Sequence, residues 1–216
     1  METYRYIHAK SSWMSAREAL QLAEKLAEMG AEDGNIDSYM RQGVYGDYLQ
    51  QAEELEYGTS DFIATVPLMY MVTHGVDLIL KGYMYAGHPQ EAPQAPPKLA
   101  DMLERFRAEF ADETVVSEFI DTYIDPDKLP QLFAVYLREV GKDLDDLYKE
   151  RRFLNNASFY RIIEQYKPYV YTWEDGKRFY QEVLEDLRSV LPVIEALQAD
   201  IDSEGVPGDK VKALRR

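Results

Sequence analysis

Val183-Leu-Glu-Asp-Leu187-Arg-Ser-Val190-Leu-Pro-Val-Ile194-Glu-Ala-Leu197-Gln-Ala-Asp-Ile201 is the stretch whose reading decides the fold. Val183, Leu187, Val190, Ile194, Leu197 and Ile201 recur four and three positions apart, which brings them onto one face of an α-helix. A spacing sustained this long marks the seam of a helix packed among other helices. Thr172-Trp-Glu-Asp175 opens it like a capping box with Asp in the closing position. Pro192 is expected to bend the helix, and Gly205, Pro207 and Gly208 to release the chain after it. The spacing predicts a helix over 173–203 and a flexible C-terminal tail over 204–216.

The same period runs back through most of the chain. Trp13, Ala16, Leu20, Ala23 and Ala27 give one apolar face to a helix predicted over 13–29, with Ser12 as N-cap and Gly30 just past its end. Residues 30–36 read as a turn. A second helix is predicted over 37–57, weakened by Gly43 and Gly46 and closed by Gly58. A third runs over 60–86, with Pro67 either kinking it or marking its true start. Between Val66 and Met84 apolar residues fall on nearly every face, as in a helix at the centre of a bundle. Residues 87–97 hold four of the ten prolines and read as an extended loop within one domain. Helices resume at Lys98 to Phe110 and Glu113 to Tyr123, together spanning 98–123. Asp125-Pro126 is an N-cap with proline at the first helical position, opening a helix over 127–151. A short helix from Ser158 to Tyr166 follows, and Tyr169 to Thr172 has the composition of an extended segment. The fold class is all-α, an antiparallel helical bundle forming a single domain over 1–203. Its core is expected to include Leu20, Leu68, Val72, Leu78, Leu80, Val183, Leu187 and Ile194.

Composition narrows the function. The 216 residues carry 24 Lys and Arg against 39 Asp and Glu, a formal net charge of −15, and no cysteine. Thiolate zinc sites, iron–sulfur clusters, disulfides and cysteine nucleophiles are therefore excluded. The acidity is spread evenly, net −7 over residues 1–108 and net −8 over 109–216, which suits solvated outer faces of a bundle and argues against nucleic acid as a partner. Lys210, Lys212, Arg215 and Arg216 read as a solvated end. No apolar signal region opens the chain. Its longest uncharged apolar-rich stretch, Phe62 to Val76, is too short to span a bilayer. A cytoplasmic protein with no membrane contact is the expectation.

The chain has three histidines, His8, His74 and His88. It contains no H-E-x-x-H, no Glu-x-x-His, no phosphate-binding glycine loop and no G-x-S-x-G elbow, so no metal, cofactor or catalytic residue is assigned. The best local feature is His74-Gly-Val-Asp77-Leu-Ile-Leu-Lys81-Gly-Tyr83. His74, Asp77 and Lys81 share one helical face, and Asp77 precedes Lys81 by the four residues that favour an ion pair. Polar groups inside so apolar a helix have to be paired where they are buried. They read either as a hydrogen-bond network that fixes packing or, with Tyr83, as a polar site for a small ligand.

Tyrosine is abundant, 17 residues, and crowded near the C-terminal third. Tyr166, Tyr169, Tyr171 and Trp173 are candidate interface residues, since such rings serve packing at bundle ends or contact with a protein. Stacking on a nucleic acid is opposed by the net charge. The acidic runs Glu53 to Glu56 and Asp143 to Asp146 lack the spacing and glycine of a calcium loop and read as solvated helix faces.

The segment Phe62 to Tyr83 resembles the central helix of HEPN-like proteins, in which an apolar run leads into His, an acid, Leu, Lys and an aromatic residue. Tyr85-Ala-Gly-His88 followed by Leu99-Ala-Asp-Met-Leu103, and Tyr166-Lys-Pro-Tyr169 followed by Thr172 to Leu197, are similar to later parts of that family. In the family the Gly-His step leads directly into a leucine-bearing helix, whereas here the proline-rich loop intervenes. The resemblance covers about half the chain. It implies an antiparallel helical bundle, often dimeric. Members are ribonucleases of toxin and defence systems, or non-catalytic proteins that pair with nucleotidyltransferase-type partners. Catalytic members carry an arginine, four to six residues, then histidine late in the domain. Here no histidine follows His88, and the nearest echo is Arg151 and Arg152 with Asn156, whose amide does not take up a proton near neutral pH. The expected function is that of a non-catalytic HEPN-like accessory protein that binds a protein partner, with a homodimer as a further form. A divergent ribonuclease and a small-ligand-binding bundle are the alternatives.

Overall fold

Tyr6, Ala9, Trp13, Ala16, Leu20, Ala23 and Ala27 are all buried and draw one apolar line along helix α1, Glu2–Asp33. The computed structural model describes residues 2–33, 58–59, 65–88, 98–125, 128, 170–171 and 173–215. After α1 come strand β1 (Gly58–Thr59) and helices α2 (Thr65–Gly87), α3 (Leu99–Glu109) and α4 (Thr114–Ile124). Strand β2 (Val170–Tyr171) and helices α5 (Trp173–Ala199) and α6 (Asp209–Ala213) complete the chain. The fold is all-α. Its sheet content among the described residues is one antiparallel pair of two-residue strands, Gly58 opposite Tyr171 and Thr59 opposite Val170, plus an isolated bridge, Ile201 to Pro207.

The chain forms two compact units, one of Met1–Gln21, Val72–Tyr123 and Leu187–Arg216, the other of Leu22–Met71 and Ile124–Asp186. No composition shift marks these boundaries, so the sequence reads as one domain over 1–203 where the fold has two units.

In the first unit α1 and α2 run antiparallel, because Leu20 packs on Gly75 and Trp13 on Gly82. Both glycines are seven residues apart, as are their partners, so each lies on the same helical face as its fellow. With no side chain there, the two helices approach closely. Trp13, Tyr83, Phe106 and Phe110 then form an aromatic cluster with centroids 5.0 to 5.7 Å apart. Helix α5 also runs antiparallel to α1: Gln21 donates to Glu195 at 3.2 Å, and Lys10 Nζ donates to the Ile201 carbonyl at 2.5 Å. Arg107 ties α3 to α4 through Asp121 at 2.8 Å. In the second unit the ring of Tyr180 lies over Gly30 and meets Phe179 edge to face, with Leu68, Met69, Val183 and Leu184 buried.

Several boundaries differ from expectation. Helix α1 starts about three turns before Ser12, because Tyr6 and Ala9 continue its apolar line through a charged stretch. It also passes through Gly30, which serves as the seat of the Tyr180 ring and not as a stop. Pro67 falls in the first turn of α2, where its missing N–H costs no hydrogen bond. The two helices predicted at Lys98 to Phe110 and Glu113 to Tyr123 are present as α3 and α4, separated where Glu113 N–H turns back to the Phe110 carbonyl at 3.0 Å. Helix α5 ends at Ala199 with Pro192 inside it. Leu20, Leu68, Val72, Leu80, Val183, Leu187 and Ile194 are buried, while Leu78 is only half-buried.

Residues 204–216, expected as a flexible tail, are built into the first unit as far as Arg215. Asp202 Oδ1 accepts from the N–H groups of Glu204 and Val206, and Gly205 takes the left-handed φ of 82° that completes the turn. Asp200 Oδ2 then accepts from Val211 N–H at 2.8 Å, and Val211 and Leu214 are buried. The basic composition hid this, because Lys210, Lys212 and Arg215 turn outward around two inward apolar residues. The helix predicted over 37–57, that over 127–151 apart from Lys128, the short one over 158–166, and loop residues 89–97 lie outside the described residues.

Candidate functional site

Asp77 and Lys81 stand one turn apart on α2, and the predicted ion pair is made: Lys81 Nζ donates to Asp77 Oδ2 at 2.5 Å. Their side chains are only 10% and 17% exposed, so each charge is largely shielded from water and balanced by the other. Thr73, one turn earlier, is also buried. His74 is exposed. Tyr83 turns elsewhere, into the aromatic cluster, and donates its hydroxyl to Glu113 Oε2 at 3.2 Å. Burial, and then the negative charge of Glu113 with its hydrogen bond and of Asp112, push the Tyr83 hydroxyl well above the ordinary phenol range. The four residues therefore separate. Asp77 and Lys81 form a structural pair, His74 faces out, and Tyr83 belongs to the core with a tethered hydroxyl.

A second polar cluster escaped sequence reasoning. His88 follows the last residue of α2, and its Nε2 meets Oε2 of Glu109, the last residue of α3. Arg105 Nε approaches the other oxygen of Glu109 at 3.6 Å. Three positions before His88, Tyr85 meets the His8 ring at 5.5 Å between centroids. A carboxylate against an imidazole is the pairing that orients a histidine for acid–base work. Here it also joins the C-terminal end of α2 to the C-terminal end of α3. The 21 positions between His88 and Glu109 carry no periodic signal, so only the fold brings them together.

The other candidates are placed in part. Tyr171 lies in β2 and Trp173 is the first residue of α5. Tyr166, Tyr169, Arg151, Arg152 and Asn156 lie outside the described residues. Among the described residues no group of three or more His, Asp or Glu could hold a metal ion, and no helix is long and apolar enough to cross a membrane.

Helix α1 presents a surface of a different kind. Opposite its buried line, Ile7, Met14, Leu22 and Met29 are exposed, Met29 by 62%. Their spacings of seven, eight and seven place them on one ridge, with exposed Ser11, Glu18 and Lys25 between them. Ile7 and Met14 belong to the first unit and Leu22 and Met29 to the second, so each unit presents two exposed apolar side chains on this helix. The alanine stripe behind these residues is the stronger periodic signal in this stretch of sequence.

No family model matches the sequence, and no curated protein and no solved structure matches it either.

Proposed function

We propose that the chain is a non-catalytic, HEPN-like helical accessory protein that acts by binding a protein partner, in a defence, toxin–antitoxin or regulatory pair. The observation that carries this reading is the exposed apolar side chains of α1, Ile7 and Met14 in one unit and Leu22 and Met29 in the other. Side chains of this kind gain free energy when a second protein removes them from water. Asp77 and Lys81 suit the same reading, since they neutralise each other in a shielded pair. The pathway assignment rests on the family resemblance carried by 62–83, 85–103 and 166–197. A late Arg-x4-6-His motif is missing from the sequence, which favours the non-catalytic branch.

The test uses the purified chain and a Met14→Glu/Met29→Glu variant whose circular dichroism matches it. Photo-crosslinking in extract of the native host should join wild type to a defined protein and leave the variant unjoined. Labelled RNA incubated with wild type should stay intact. Cleavage that vanishes in Arg151→Ala or Arg152→Ala, with the fold preserved, overturns the reading in favour of a ribonuclease.

A further inference from the structure

We infer that Met14 and Met29 are sites at which a hydroperoxide oxidises the folded chain to methionine sulfoxide. The inference goes beyond the partner-binding reading and does not depend on it.

Three observations carry it. The first is composition. The chain has no cysteine, so its eight methionines are its only sulfur and the groups a peroxide attacks first. The second is exposure. Met29 is 62% exposed and Met14 38%, whereas Met69 and Met102 are each 1% exposed. Met71 and Met84 are half-buried. Methionine is among the residues most often fully buried, so this degree of exposure sets the two apart. Both stand on α1, Met14 within the first unit and Met29 within the second. The third is charge. A chain of net charge −15 opposes the approach of an anionic oxidant and leaves a neutral hydroperoxide free to reach it.

The step moves two electrons. A lone pair of the thioether sulfur attacks the outer oxygen of the peroxide, and the S–O bond forms as the O–O bond breaks. The hydroxyl proton passes to the leaving oxygen. Sulfur is oxidised, and the peroxide is reduced to water or an alcohol. An exposed sulfur has room for the peroxide and water to carry the proton, whereas a sulfur in a packed core has neither. The product is polar where the thioether was apolar. On the outer face of α1 the new oxygen is hydrated and the packing behind it is untouched. At Met69 or Met102 the same oxygen would be carried into the core, where a polar group without a partner is costly. The fold therefore accepts oxidation at two surface positions and shields methionines at which it would do harm.

The full chain at neutral pH is exposed to hydrogen peroxide, and peptide mass spectrometry follows each methionine with time. The expected result is oxidation of Met14 and Met29 at least about tenfold faster than that of Met69 and Met102, with an unchanged circular dichroism spectrum. In concentrated urea the rates should converge, because unfolding exposes every sulfur. Wild type oxidised at these two positions should keep its melting temperature, as should a Met14→Leu/Met29→Leu variant treated alike. Met69 or Met102 oxidised in the folded chain as fast as Met14 and Met29 overturns the inference, and that measurement needs no variant. A rate ratio that urea leaves unchanged also overturns it, since burial would then not set the rates. A wild-type melt that falls once Met14 and Met29 are oxidised, while the leucine variant keeps its own, refutes their place on a tolerant surface.

Discussion

The indole of Trp13 lies directly on Gly82, so that a methyl group added to the glycine would fall within the ring. The nearest ring atom is Nε1, and that buried N–H has no hydrogen-bond partner among the described residues. The close approach of the two helices thus outweighs one unsatisfied donor.

Gly82→Ala should therefore destabilise the fold, although alanine is the better helix former by about 1 kcal/mol. Forcing a methyl into a packed site costs about 1–3 kcal/mol, and the rigid indole has little freedom to retreat. Gly75→Ala should cost less, because the Leu20 side chain it meets has rotamers to give. Urea unfolding of the two variants checks this. A Gly82→Ala protein as stable as wild type would refute the packing account.

Lys81 is held by Asp77 in a largely shielded pair. Asp77→Asn should cost about 1–3 kcal/mol by leaving the ammonium poorly balanced, whereas Asp77→Asn combined with Lys81→Met should recover part of the loss. A double-mutant cycle by chemical denaturation measures the coupling. Additive losses would mean that the pair contributes nothing as a pair.

Tyr83 gives a pH signature. Its hydroxyl pKa is raised in the folded protein by burial, chiefly, and by Glu113. A raised folded value makes the stability fully present below the unfolded pKa, near pH 10, and loses it as pH climbs further while the unfolded chain releases the proton first. Wild type should lose stability above about pH 10 more steeply than Tyr83→Phe, by up to about 1.4 kcal/mol per pH unit for this one group. The comparison with the phenylalanine variant is needed because the chain has 17 tyrosines. Parallel pH curves would show that Tyr83 ionises as easily folded as unfolded.

Val211 and Leu214 are buried although they lie among basic residues at the end of the chain. Deleting residues 209–216 should destabilise the first unit, since full burial of such a side chain contributes about 1.5–3 kcal/mol. Asp200→Ala, which removes the acceptor of the Val211 N–H, should cost about 1 kcal/mol. Melting temperatures of the two variants should fall in that order. An unchanged melt after the deletion would mean that the segment is not part of the fold.

How far residues spoke for themselves depended on the range of the interaction. Val183, Leu187, Val190, Ile194, Leu197 and Ile201 are legible because a helical face is a local, periodic property, and every one is buried. Asp77 and Lys81 are legible for the same reason, their bond spanning one turn. Tyr83 adjoins them in sequence, yet its position on the helix sends it to Glu113, 30 residues on. His88 and Glu109 meet only because α2 and α3 end side by side, which no spacing records. Gly30 and Ser12 mislead because stop and cap preferences are weak beside the burial of Tyr6, Ala9 and the Tyr180 ring.

The Lys10 ammonium reaches the carbonyls of Ile201 and Asp202 across 191 and 192 positions of chain. On a ribosome that makes the protein from the first residue onward, α1 emerges long before the last turns of α5. Throughout that interval the stripe of Tyr6, Ala9, Trp13 and Ala16 lacks one of its walls. Closure over so long a separation comes last, so this contact forms only when nearly all of the chain has been made.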